Sequence, residues 1–445
     1  MKVSATALLF ASLFVPFAYF NHSDGWNQGA RLAELHALVM QRTIAIDKYH
    51  EVTGDKALIG GHYFSEKAPA IVLFALPAFT ASAVAQRRAG IDPDAPDAWR
   101  VSNWIATAGS VGVVAAAGGV AFFAALRRRM TAFTALTSTY ALFLGSITFP
   151  YATAMFAHAG TIGLLAIALW ALFHETSRHD YIAGLAAGFA VASEYPAIIA
   201  GVAMGVYLLH ARPARAWRYA IALLPAALLI LTNNFLISGS PFSIGYGSNP
   251  AFPEISSNNA FGFHLLDPEA LRHLVWGEYR GLLFWSPALI MAIPGIALLF
   301  REDRRSALMV LIVFVAVLLQ VGSFYGWSGG NSVGPRYLAP AIPFVGLAAA
   351  YGIKQFPIPG ALLTIGSAGM MAMVTAIAID PPQDVLTPLQ SFYLVRLRDD
   401  RFATNLGTVA GLSYDASLVM LAAFVIVTAT AVWLLMREPK VVNAA

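Results

Sequence analysis

Lys67, Arg280 and Arg336 each stand at the edge of an oily stretch, with acids and aromatic residues close by in sequence. Lys67 precedes Ala68-Pro69 in "DKALIGGHYFSEKAPA" (Asp55 to Ala70). Arg280 closes "GEYR", and Arg336 follows three glycines in "WSGGNSVGPRYLAP". A cation in such a place either snorkels into headgroups as a helix anchor or holds an anion, and the planar arginine fork suits phosphate oxygens. Three of them together, beside acids and aromatics, predict a phosphate-binding site made of Lys67, Arg280 and Arg336. Asp24 and Asp55 are the carboxylates expected to take a proton from a hydroxyl, Asp24 first because it lies just past an apolar segment; each also reads as an ordinary cap or turn acid. His158 in "FPYATAMFAHAG", and Glu194 with Tyr195 in "ASEYPA", are expected to meet the substrate. Trp327 and Tyr337 are expected to stack on it. An acid as deep in an apolar run as Glu194 is seldom idle in a membrane protein.

The elements that must position these groups are membrane helices. Hydrophobic residues make up 58% of the 445-residue chain, charged residues only 12%, and the mean hydropathy is +0.65. A soluble domain is nearer one-quarter charged. The spans predicted are 4–20, 102–126, 131–149, 154–173, 181–193, 196–209, 218–237, 281–300, 306–324, 337–352, 359–379 and 416–436, the first retained rather than cleaved, with its start in the cytoplasm. Segment 69–86 is ambiguous. If it lies along the outer interface, all the basic loops ("RRRM", "HETSRHD", "HARPARAWR", "REDRR", "REPK") fall on the cytoplasmic side, as the positive-inside bias favours. That choice requires 181–209 to be two short helices meeting at "SEYP", where Pro196 interrupts the run. It also places four polar stretches on one outer face: 21–101, 238–280, 325–336 and 380–415. Residues 32, 35, 38 and 39 mark an amphipathic interfacial helix over 31–40. The whole of 1–445 reads as one all-α membrane domain of about 12 transmembrane helices, with no internal repeat and no soluble C-terminal domain.

The net charge of +4 is modest and resides mostly in short loops, which argues for topology and against nucleic acid. The absence of cysteine excludes disulfide and thiolate chemistry. No Walker A, GxGxxG, HExxH or zinc-type spacing occurs, so ATP-driven work and tightly held zinc are not expected. No cofactor is indicated, although a weak Mg or Mn site among the outer carboxylates stays open.

The outer loop with its interfacial helix, "KAP" at Lys67 to Pro69, "EYRGLLFWSP" and "WSGGNSVGPRYLAP" together resemble the GT-C superfamily of membrane glycosyltransferases. The closest type is that of dolichyl-phosphate-mannose–protein mannosyltransferases and aminoarabinose transferases. "KAP" stands where that family commonly has Lys-Pro-Pro. The resemblance implies an inverting hexosyl- or pentosyltransferase that moves a sugar from a polyprenyl-phosphate donor to a hydroxyl of a lipid, glycan or protein acceptor. It implies a bacterial inner (plasma) membrane enzyme working on the outer face. Two departures stand out: "SDGWNQ" carries the single Asp24 followed by Gly25 where the family often has Asp-Glu, and His158 stands where a second acid is common. The rival expectations are a transporter or lipid-linked sugar flippase, whose ionisable groups sit near the bilayer midplane within repeats, and a scaffold without chemistry.

Overall fold

The computed structural model describes residues 3–22, 25–252 and 262–437. Apart from one hairpin the described fold is helical. Seven of the described helices are long and apolar enough to cross a membrane: Ala70–Arg88, Pro96–Leu126, Pro213–Ser238, Arg304–Gly322, Arg336–Gln355, Pro357–Ile377 and Tyr414–Met436. Shorter apolar helices, α1 (Val3–Tyr19) among them, fill out the bundle. Arg336–Gln355 is almost wholly buried, whereas Tyr414–Met436 and Pro213–Ser238 leave most of their apolar surface outward, as helices facing lipid do.

Between apolar helices in lipid, close backbone approach replaces the hydrophobic drive, so small residues collect at the crossings. Gly118 meets Gly163 where Pro96–Leu126 crosses Ala157–Leu172, and a methyl group there would overlap the opposing backbone. The same arrangement packs Gly295 on the backbone of Ala348, at the start of the final turns of Arg336–Gln355.

Two predicted spans, 131–149 and 281–300, are interrupted. Residues 131–149 form Ala132–Phe143 and the short Thr148–Ala152, and 281–300 breaks at Ser286. As expected, 181–209 is two helices: Ser177–Ser193 ends, Glu194 is extended, and Tyr195–Ala197 leads into Ile198–Ala211. Pro196 cannot donate to the ladder of a continuous helix, so the break places the buried Glu194 at a bend.

The four polar stretches meet at one end of the bundle. Asn249 Nδ2 donates to Glu66 Oε2 at 2.6 Å, Tyr325 N to Gly262 O at 3.0 Å, Gln383 N to Asn331 Oδ1 at 3.0 Å, and Asn21 N to Thr404 O at 3.1 Å. The basic loops gather at the other end. There Arg129 pairs with Asp303 at 2.9 Å, Arg215 with the buried Asp180 at 2.6 Å, and Lys354 with Glu302 at 2.8 Å.

At the polar end, α2 (Trp26–His36) is followed by a two-stranded hairpin, β1 (Lys56–Ile59) and β2 (His62–Ser65), paired Lys56 to Ser65 through Ile59 to His62. Gly60 and Gly61 form its turn at φ +60° and +86°, the positive-φ pair a tight hairpin requires. The all-α expectation missed this hairpin. Asp47 staples it, accepting from Tyr63 N and pairing with His62, each at 2.7 Å. Then α3 (Ala70–Arg88) runs antiparallel to the outer half of Pro96–Leu126, with Ser82 bonded to Ser102 and Gln86 to the Ala98 carbonyl. Its first residue adjoins the Lys67 segment and its last turn returns to the same region, where Arg87 reaches Met40. Both ends of α3 therefore contact the 21–101 stretch.

Candidate active site

Lys67 is the centre of the polar end. β2 delivers it to the start of α3, and it is buried. Its ammonium lies 2.8 Å from Asp55 Oδ2 and 2.8 Å from Glu66 Oε1, with the Tyr246 ring 5.2 Å away. Burial works against the ammonium, but Asp55 and Glu66 outweigh it and hold Lys67 above the ordinary lysine value. An ammonium has three N–H donors. Two are directed at these carboxylates, and no further hydrogen-bond partner of the ammonium is found among the described residues. Asn249 fixes the other oxygen of Glu66 and also reaches Gly54 O. A residue of the 238–280 stretch thus clamps the first loop.

Asp55 is accordingly engaged as an ion-pair partner of Lys67. Asp24, the first-choice base, lies outside the described residues.

Arg336 opens the 3-10 turn that leads into Ile342–Gln355. Its guanidinium stands over the rings of Phe156 (5.3 Å) and Tyr337 (5.0 Å), and it is close enough to Asp55 for their charges to interact. Gly329 makes room for it. At φ +77° this residue favours glycine, and a methyl group would come 2.9 Å from Arg336 Nε. Lys67 and Arg336 therefore converge.

Arg280 is held by backbone carbonyls on both sides of the glycine-rich loop. Fully buried, it donates from Nε to Ser328 O, from Nη1 to Tyr279 O and from Nη2 to Gly330 O. Arg280 thereby braces the glycine-rich loop that carries Gly329 beside Arg336, and its charge interacts with that of Arg336. Trp327 is likewise placed with His273 and Tyr279, ring centroids 5.9 Å from each, on the Arg280 side of that loop.

Glu194 and His158 come together from separate helices, Glu194 Oε1 lying 2.9 Å from His158 Nδ1 with both side chains buried. The imidazole is enclosed by Tyr151, Phe156 and Tyr337, at 5.3, 5.6 and 6.1 Å between centroids. Tyr195 packs edge-on to Tyr246, 6.4 Å away, which links this pair to the Lys67 side.

Arg31 and Glu34 were not among the predicted site residues. The amphipathic helix expected over 31–40 falls on α2 and the turn after it, and α2 is buried on nearly every side. Arg31 interacts electrostatically with Tyr246, Glu194, Asp55 and Glu34. Burial raises the Glu34 carboxyl to about 7, against a hydrogen bond from Ser65 and the charge of Arg31. The signal was present as two opposite charges at i and i+3 on one helix face; their burial depends on loops distant in sequence.

Four buried polar atoms of this group lack a hydrogen-bond partner among the described residues: Arg31 Nε, His158 Nε2, Glu194 Oε2 and Arg336 Nε. Buried polar groups are normally satisfied, so their concentration here marks a place for a polar ligand or water. Among the described residues, no three acidic or histidine side chains are gathered as a divalent ion requires.

Comparison with solved structures places this architecture. The chain resembles ArnT from Cupriavidus metallidurans bound to undecaprenyl phosphate at TM-score 0.50 and 16% identity, over 97% of this chain and 75% of that one. It has the GT-C fold. The oligosaccharyltransferase of Archaeoglobus fulgidus in its apo form aligns at TM-score 0.51 and 14% identity, over 87% of this chain and 57% of that one. AglB from the same organism, in complex with an inhibitory peptide and a dolichol-phosphate, aligns at 0.50 and 12%, over 99% and 57%. No protein-family profile and no curated protein sequence matches. With its long apolar helices, the chain is an integral membrane protein.

Proposed function

We propose that the chain is an inverting glycosyltransferase that moves a hexosyl or pentosyl group from a polyprenyl-phosphate donor to an acceptor hydroxyl of a lipid, glycan or protein. The work is done at the extracytoplasmic face. The observation that carries this reading is the meeting of Lys67, with no third hydrogen-bond partner among the described residues, and Arg336, with an unpartnered Nε, at the polar end of a GT-C fold. The basic loops at the opposite end support a cytoplasmic orientation there, and so an outward-facing site.

In this reaction the anomeric carbon–oxygen bond breaks and negative charge grows on the departing phosphate. Lys67 and Arg336 donate to those oxygens, with Arg31 close behind, from buried positions where a charge is weakly screened. Asp55 and Glu66 hold the ammonium in position. Tyr195, Tyr246 and Tyr337 supply faces on which a sugar ring can rest. The concentration of charge at one end, away from the middle of the bundle, suits a surface reaction better than carriage of a solute across the membrane.

The test is transfer by the purified protein from a panel of radiolabelled polyprenyl-phosphate sugars. Release of sugar to an acceptor or to water, abolished in Lys67→Met, is expected with at least one donor. Failure with every donor would contradict the reading.

A further inference from the structure

We propose that His158 is the proton acceptor of the reaction and that Glu194 is its positioning residue. The inference rests on the transferase reading above. A carboxylate can only accept, so the 2.9 Å contact between His158 Nδ1 and Glu194 Oε1 puts the imidazole proton on Nδ1. In the neutral ring Nε2 then carries the lone pair, and Nε2 has no partner among the described residues. Nucleophile activation by histidine needs this arrangement: a base with a free nitrogen, turned and held by a third group. Both side chains are more than nine-tenths buried.

Among the described residues, Asp55, Glu66 and Glu34 are otherwise engaged. Asp55 pairs with Lys67, and the oxygens of Glu66 are divided between Lys67 and Asn249. Glu34 is turned to Ser65 and Arg31. The groups facing the imidazole come from every neighbouring element. They are Glu194 at the bend before Ile198–Ala211, Arg336 and Tyr337 at the head of the Arg336–Gln355 helix, Tyr151 on Thr148–Ala152, and Arg31 on α2. The step balances without a co-reactant. The acceptor O–H proton passes to Nε2 as the acceptor oxygen bonds to the anomeric carbon. The bond from that carbon to the phosphate oxygen breaks, its electron pair leaves with polyprenyl monophosphate, and Glu194 stabilises the resulting imidazolium.

The experiment uses full-length protein in nanodiscs, measuring transfer from the competent donor and, separately, binding of polyprenyl monophosphate. His158→Ala is expected to bind the lipid phosphate as wild type does and to lose transfer by on the order of a hundredfold or more. Added imidazole is expected to restore part of it. Glu194→Gln, which preserves shape, is expected to shift the acid limb of the pH–rate profile to lower pH, because the imidazolium loses its counter-charge. His158→Ala transferring within about threefold of wild type, or Asp24→Asn or Glu34→Gln abolishing transfer while His158→Ala retains it, would overturn the proposal. Loss in His158→Ala without imidazole rescue and with an unmoved pH limb in Glu194→Gln would also overturn it. Wild-type protein that neither binds the lipid phosphate nor transfers a sugar would overturn the transferase reading itself, and the proposal with it.

Discussion

Removing the ammonium of Lys67 would strand Asp55 and Glu66 side by side in a buried place. Truncating one partner of a buried ion pair typically costs about 3–5 kcal/mol, so Lys67→Met should lower the unfolding midpoint as well as abolish phosphate binding. The triple variant Asp55→Asn/Glu66→Gln/Lys67→Met should recover much of the stability and none of the binding, which thermal unfolding and lipid-phosphate titration would separate. Arg280 should behave differently from Arg336. Arg280→Ala leaves the Ser328 and Gly330 carbonyls buried without their donor, at about 1–3 kcal/mol each, and loosens the loop behind Arg336. Arg336→Ala should weaken phosphate binding with a smaller change in unfolding midpoint, since its Nε has no partner to lose. At this scale the convergence of Lys67 and Arg336 was legible, because each stands at the edge of an apolar stretch beside acids and aromatics. The role of Arg280 was not, because the carbonyls it holds lie some fifty residues away and leave no mark in residue type.

At the scale of elements, α2 carries the clearest difference between expectation and structure. Its charged face is covered by the hairpin and the 245–249 segment rather than by water. The consequence is measurable through Glu34. Its carboxyl has an ordinary value near 4.5 in the unfolded chain and about 7 in the fold, so the folded state binds the extra proton between these values. Stability therefore falls as pH rises from about 4.5 to about 7 and stays reduced above. Glu34→Gln should gain stability relative to wild type across that window, by on the order of 3 kcal/mol at pH 8, with the advantage vanishing below pH 4.5. The hairpin itself was readable, since Gly60-Gly61 between two short β-prone runs is a strong turn signal. The small-residue crossing at Gly118 and Gly163 was not, because many glycines occupy these helices and only packing selects the pair. Gly118→Leu should force the helices apart, lower the unfolding midpoint, and displace the helix start that bears His158.

For the whole molecule, the charge distribution along the sequence anticipated the arrangement of the two ends. Loops rich in arginine meet one another through Asp180, Glu302 and Asp303, and the four polar stretches meet through Asn249, Asn331 and Thr404. The absence of native cysteine makes sidedness easy to measure. His62→Cys and Asp92→Cys should both react with an impermeant maleimide from the outer face, because both ends of α3 contact the 21–101 stretch. Arg305→Cys should react only after permeabilisation. Labelling of His62→Cys and Asp92→Cys from opposite faces would mean that α3 crosses. The most direct test of the account is a structure of the protein in nanodiscs with polyprenyl monophosphate. The account predicts the phosphate within hydrogen-bonding distance of Lys67 Nζ and Arg336; a phosphate bound elsewhere, with both cations untouched, would contradict it.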